Sequence, residues 1–128
     1  MVGSGQVWTH VIISNMKLLK KPILLESLHK MAQAGFGNFV KAVVDIEKGI
    51  MAIGGELHAD EEALLIEGGS RQRDLWGINI YPELEKGERV EFDSMINLKP
   101  AQGNRTRGVD DIEIKNKILT IVDKFIGS

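Results

Sequence analysis

Cysteine is absent from the 128-residue sequence, which excludes disulfide bonds, thiolate metal ligands and cysteine nucleophiles. A chain without cysteine is also suited to a reducing compartment, so we expect a cytoplasmic location. Aromatic residues make up only 5% of the sequence, whereas binding of single-stranded nucleic acid needs several exposed rings in a basic groove. We therefore do not expect a nucleic-acid partner.

Long apolar runs and a strong net charge are missing as well. No segment reaches the roughly 18 consecutive apolar residues of a membrane-spanning helix, so we expect no membrane partner. The 16 basic and 18 acidic residues leave a formal net charge of −2, which disfavours non-specific attraction to nucleic acid or anionic lipid. The remaining composition is that of an ordinary globular protein, at a length that fits one domain.

The first 15 residues differ from the rest of the chain. A short segment rich in glycine leads into the β-prone run at residues 7–13, and Met16 then opens a segment typical of a natural start. We predict that residues 1–15 are a dispensable extension. Residues 16–128 are then expected to form the single folded domain.

Two segments have apolar side chains at the spacing of an amphipathic helix. The first covers residues 24–34, and the second, which has the stronger pattern, covers residues 111–126. Asp110 and Asp111 open the second segment, and a short acidic side chain is a common N-cap. We therefore predict two helices and expect both to pack on the same face of a sheet.

Alternation of apolar and polar side chains predicts the strands of that sheet. Gly49 suits the tight turn of a hairpin between the second and third of them. We predict an α+β fold with a mostly antiparallel sheet of about five strands, in which an uncovered face or edge would favour a homodimer. The clearest predicted strands are residues 17–21, 38–46, 50–53, 75–81, and 89–92 continued by 94–98.

Residues 60–67 allow two interpretations. Asp60 as an N-cap, an acidic first turn and Gly68 beyond the end favour a helix. The short glycine-containing loop that leads to the next strand favours another strand of a hairpin. From this context we predict a strand over residues 62–67.

A polar loop precedes the last helix and is our first candidate site. Arg105 and Arg107 can each bind a carboxylate or phosphate through two parallel hydrogen bonds, and Gln102 and Asn104 add amide groups. The spacing matches neither a phosphate-binding loop nor a dinucleotide fingerprint. We predict a site for a small anionic ligand here. The alternative is that the arginines pair with carboxylates of this chain or of a second subunit.

The second candidate site is the row Glu56, His58 and Asp60. On an extended chain these alternate residues project to one face. A carboxylate–imidazole–carboxylate row can hold a divalent metal, or His58 can act as a general base oriented by Asp60. These three residues are the candidates for catalysis and metal binding, although the second histidine of the helical zinc motif is missing. A solvated polar turn is the alternative, and no other cofactor follows from the sequence.

The two candidate stretches carry complementary charge. Residues 56–62 are acidic and residues 102–107 are basic, so they either meet in one site or form a salt-bridge network that binds no ligand. Our first functional hypothesis is a binding or interaction module for an anionic ligand or a protein partner. The second is a metal-assisted hydrolase, and the sequence does not decide whether the protein is an enzyme.

Residues 16–128 also resemble a family of small, uncharacterised prokaryotic proteins known as a domain of unknown function. The strings that carry the resemblance are VVDIEKGIMAIGGELHAD at 43–60, DLWGIN at 74–79 and INLKPAQGNR at 96–105. The resemblance implies a small, cytosolic, single-domain protein. It assigns no activity, cofactor or residue role.

Overall fold

One five-stranded antiparallel sheet organises residues 16–127, the part of the chain that the computed structural model describes. Its strands lie in the order β1-β3-β2-β4-β5, and each neighbouring pair is antiparallel. The predicted extension at residues 1–15 lies outside the described residues. The strands are β1 (Lys17–Leu19), β2 (Val40–Asp45), β3 (Ile50–Ile53), β4 (Leu75–Ile80) and β5 (Val90–Glu91).

Helices cover both faces of the sheet. They are α1 (Leu25–Ala34), α2 (His58–Glu67) and α3 (Ile112–Phe125). The predicted α+β class, the antiparallel sheet of five strands, and the packing of α1 and α3 on one face are confirmed. None of these helices is long and apolar enough to cross a membrane.

The main core lies between α1, α3 and the first face of the sheet. Even-numbered residues of β2 and β4 point into it, because side chains alternate along a strand. The Asp111 side chain caps α3 by accepting a hydrogen bond from the Glu113 N–H, at 2.8 Å. Fully buried members of this core include Leu28, Val44, Ile78, Ile118 and Phe125.

The strand predicted over residues 62–67 is wrong, because this segment is the helix α2. Glu61 and Leu65, one helical turn apart, are buried while Ala63 between them is exposed, whereas a strand would place all three on the same face. Leu65 packs against Val43 and Ala52 on the second face of the sheet. Part of the face that we expected to be free for self-association is therefore covered.

The strand predicted over residues 94–98 is also wrong, and a short 3₁₀ turn at Met95–Asn97 takes its place. The buried Asn97 side chain forms hydrogen bonds to Gly77 of β4 where a neighbouring strand would otherwise pair with it. Its Oδ1 accepts from the Gly77 N–H at 2.8 Å, and its Nδ2 donates to the Gly77 carbonyl at 3.0 Å. These are the two bonds that a residue of a paired strand exchanges with its partner.

We predict that Asn97→Ala destabilises the protein by at least about 2 kcal/mol, because it leaves buried peptide groups of Gly77 without partners. The measurement is the free energy of unfolding from chemical denaturation. The matched control is Asn116→Ala on the exposed side of α3, which should change stability by less than about 0.5 kcal/mol. Equal stability of the two variants would contradict the role of Asn97 as a strand substitute.

Candidate functional site

Asn104, a predicted ligand residue, lies buried at the centre of its own loop. Its Nδ2 donates to the carbonyls of Asn97, Thr106 and Gly108, at 2.8 to 3.2 Å. Its Oδ1 accepts from the Asp110 N–H at 2.8 Å. The whole amide is therefore engaged within the chain, and its evident role is to shape the loop.

The other three predicted ligand residues of this loop point to different neighbours. Gln102 Nε2 donates to the Arg73 carbonyl at 3.1 Å. Arg107 Nε lies 2.7 Å from Asp93 Oδ1, in an ion pair that is about half exposed. Arg105 is exposed, and within residues 16–127 its guanidinium has no carboxylate partner. Of the four predicted ligand residues, Arg107 alone forms an ion pair with a carboxylate of the described chain.

The row predicted from Glu56, His58 and Asp60 does not form, because the helix begins at His58. Successive helical residues are rotated by roughly 100°, so residues two apart point in different directions. Glu56 and Asp60 are exposed, and only His58 is buried against the sheet. Across residues 16–127, no group of three or more histidine, aspartate or glutamate side chains is placed to hold a metal ion.

The imidazole of His58 is held in one tautomer by the backbone of β4. Its Nε2 lies 2.8 Å from the Ile78 carbonyl oxygen. Because a carbonyl only accepts, Nε2 carries the proton and Nδ1 keeps a free lone pair. Burial is the largest effect on the pKa of His58 and lowers it, and the positive charge of Lys41 lowers it further. The hydrogen bonds with the Ile78 carbonyl and the Asn79 side chain, and the negative charge of Asp93, raise the pKa but do not outweigh burial. The ring is therefore neutral at pH 7.

Asn79 lies beside His58 with an unsatisfied amide oxygen. Its Nδ2 donates to Glu91 Oε1 at 2.9 Å, and the Tyr81 hydroxyl donates to the same oxygen at 3.2 Å. Glu91 therefore fixes the amide nitrogen. Asn79 is only 8% exposed, and its Oδ1 is buried without a donor in the described part of the chain. This oxygen and His58 Nδ1 are neighbouring acceptors, and the Asn79 side chain favours the charged form of the ring.

Three aromatic rings form a row next to these acceptors. Phe36 stacks on Phe39 with ring centroids 4.8 Å apart, and Phe39 lies 5.3 Å from Tyr81. The Lys41 ammonium lies 5.2 Å from the centre of the Phe36 ring. Phe36 is 46% exposed, so the row reaches the surface. We did not predict this row from the sequence, because aromatic residues are few. Its members lie next to the ends of β2 and β4.

Glu61, one turn from His58 along α2, adds a second neutral group at neutral pH. It is fully buried, and burial raises its pKa to about 9, against a smaller lowering by the Gly55 N–H. That N–H donates to Oε2 at 2.9 Å, while Oε1 has no partner among the residues described. A Cβ at Gly55 would lie 2.8 Å from Glu61 Cγ, so this close approach requires glycine.

Asp93 links the two stretches that the sequence singled out. It pairs with Arg107 from the late loop, and its negative charge also acts on His58 at the start of α2. Ser94, whose N–H donates to the Arg107 carbonyl, and His58 both lie against Gly77 of β4, so the two stretches approach each other on the second face of the sheet. We name this region the sheet-face site, and its residues are Phe39, Lys41, His58, Asn79, Tyr81, Glu91 and Asp93.

These features define a small α+β domain with a candidate polar site on the open part of an antiparallel sheet. Residues 17–125 match the family described as "Protein of unknown function (DUF5674)", and the chain belongs to this family. The match confirms the resemblance to a domain of unknown function. No curated protein and no solved structure matches the chain.

We predict that Glu61→Gln stabilises the protein at pH 7 by up to roughly 3 kcal/mol, because glutamine has no proton to lose on unfolding. The folded pKa of about 9 lies above the ordinary 4.5, so the parent loses stability as the pH rises through this interval. Denaturant unfolding at several pH values measures the difference. The difference in the free energy of unfolding between Glu61→Gln and the parent should vanish below pH 4.5, where the carboxyl group is protonated in both states.

The control is Glu67→Gln at the exposed end of the same helix. It makes the same substitution at a side chain that is exposed. A difference between Glu61→Gln and the parent that stays constant with pH would show that Glu61 is not held protonated.

Proposed function

We propose that the protein is a small-molecule binding module and that the sheet-face site holds its ligand. The observation that carries this proposal is the pair of neighbouring acceptors, His58 Nδ1 and Asn79 Oδ1, beside a row of partly exposed rings. A buried acceptor without a donor costs about 1–3 kcal/mol, and folded proteins contain few of them. A ligand that displaces the side chains covering Asn79 Oδ1 and donates a hydrogen bond to it recovers that free energy.

The surroundings of the two acceptors restrict the class of ligand. The acceptors favour a molecule with N–H groups along one edge, such as a primary amide or an amino-substituted ring. Phe39 and Tyr81 favour a planar ring that packs against them. Lys41 borders the site and suits an acidic substituent on the same molecule, whereas Arg107 is already paired with Asp93. The anionic ligand that we expected at residues 102–107 stays a prediction.

A second candidate function is general-base catalysis of a hydrolytic reaction by His58. One observation favours it: the Ile78 carbonyl fixes the tautomer, and burial lowers the pKa, so Nδ1 is free to take a proton at neutral pH. Glu56 and Asp60 lie exposed and do not join His58 in this role. Either function places His58 at the centre of the site.

We predict that nicotinamide, a planar ring with a primary amide, binds the sheet-face site and that its N,N-dimethyl analogue does not. The analogue keeps the ring but has no N–H to donate. NMR titration should shift the Asn79 side-chain amide and the His58 ring resonances. Binding should weaken as the pH falls below 6.5, because a proton on Nδ1 removes one acceptor.

Matched variants separate this site from the rest of the surface. Asn79→Ala and His58→Ala should each abolish saturable binding in protein that remains folded. Asn116→Ala and His29→Ala on the outer helices should not change it. Equal binding of the two nicotinamides, or binding that survives both site substitutions, would refute the proposal.

Hydrolysis of a p-nitrophenyl ester tests the second candidate function. Activity that rises with pH through a midpoint below 6.5 and is lost in His58→Ala supports general-base catalysis. Activity equal in the parent and in His58→Ala contradicts it.

A further inference from the structure

A separate cavity of about 410 Å³ lies at the other end of β2 from the sheet-face site. The turn between β2 and β3 forms one side, and the connection from α2 to β4 forms the other. Three basic side chains, three carboxylates and Gly69 line it. Ligand pockets in proteins start at roughly 300 Å³, so this one can hold a small metabolite.

The walls of this cavity are held together by Asp45, which is 1% exposed. Its Oδ1 accepts from the N–H groups of Glu47 and Lys48, both at 2.9 Å, and fixes the turn. Its Oδ2 accepts from the Ser70 hydroxyl at 2.6 Å, which ties the connection to the turn. The Asp45 carboxylate is therefore already satisfied and does not compete for the basic side chains of the cavity.

The formal charges of the lining cancel, but two of its basic side chains are not paired with a carboxylate of the described chain. Asp74 is the second lining carboxylate that has a partner, since it lies 3.9 Å from Arg71 Nε. Lys48 and Arg73 have no carboxylate partner within residues 16–127. Glu47 is thus the one lining carboxylate that remains available to oppose them.

Gly69 gives the Lys48 ammonium its position at the wall. A Cβ on Gly69 would lie 3.0 Å from Lys48 Nζ. The φ angle of Gly69 is also +103°, a conformation that side chains other than glycine rarely adopt. Glycine at this position therefore keeps the basic side chain free to reach a guest in the cavity.

We propose that this cavity binds a small molecule with a multivalent oxyanion group, a phosphate or a dicarboxylate. Lys48 supplies a point charge, and the guanidiniums of Arg71 and Arg73 supply parallel N–H donors. A dianion is favoured over chloride because it can contact more than one of these cations. The proposal concerns a second site and does not depend on the sheet-face site.

Calorimetric titration with inorganic phosphate and with succinate, at constant ionic strength in chloride, tests the proposal. We expect saturable binding of at least one probe, and the stronger of the two identifies the oxyanion. Arg73→Ala and Lys48→Ala should each weaken it about tenfold, the effect of losing one charge-assisted hydrogen bond. The affinity of Arg73→Lys should lie between those of the parent and Arg73→Ala. Lysine keeps the positive charge but lacks the parallel N–H donors of the guanidinium.

Arg105→Ala is the matched control, since it removes an exposed arginine from the late loop. Phosphate or succinate binding should be unchanged by it, and nicotinamide binding should be unchanged by Arg73→Ala. The absence of saturable binding by both anions would overturn the proposal. An effect of Arg105→Ala together with none of Arg73→Ala would equally overturn it and would assign anion binding to the late loop.

Discussion

The pairing of the Asn97 side chain with the Gly77 peptide holds the late part of the chain against the sheet. β5 is only two residues long, so most of the outer edge of β4 has no strand beside it within residues 16–127. The same Asn97 amide also donates to the Arg107 carbonyl at 2.8 Å, which draws the following loop to this edge. A single buried carboxamide thus sets the position of the segment that brings Arg107 to Asp93.

Gly77 makes this arrangement sterically possible. A Cβ at this position would lie 2.5 Å from Ser94 Oγ and 3.2 Å from His58 Cδ2. The late loop and the start of α2 therefore approach the sheet at one place because that residue has no side chain. The ion pair at Arg107 and the imidazole of His58 are neighbours for this reason, although their stretches are far apart in the sequence.

The sequence supported the fold better than it supported the site. Helical periodicity identified α1 and α3, and alternation identified β2, β3 and β4, because each pattern reflects burial on one face. The context argument failed at 62–67, where the local helix signals were the correct ones. Alternation failed at 94–98, where a 3₁₀ turn and the Asn97 side chain take the place of a strand. Asn79, Glu91 and Tyr81 were missed because only the register of β4 with β5 brings their side chains together.

The Ile78 carbonyl that holds His58 belongs to the main chain. Substitution of the Ile78 side chain leaves that oxygen in place, so the protonation pattern of the ring is inherited from the strand itself. Sequence drift at this position changes the packing of the core without altering which imidazole nitrogen is basic. The tautomer of His58 is therefore kept as long as the sheet forms.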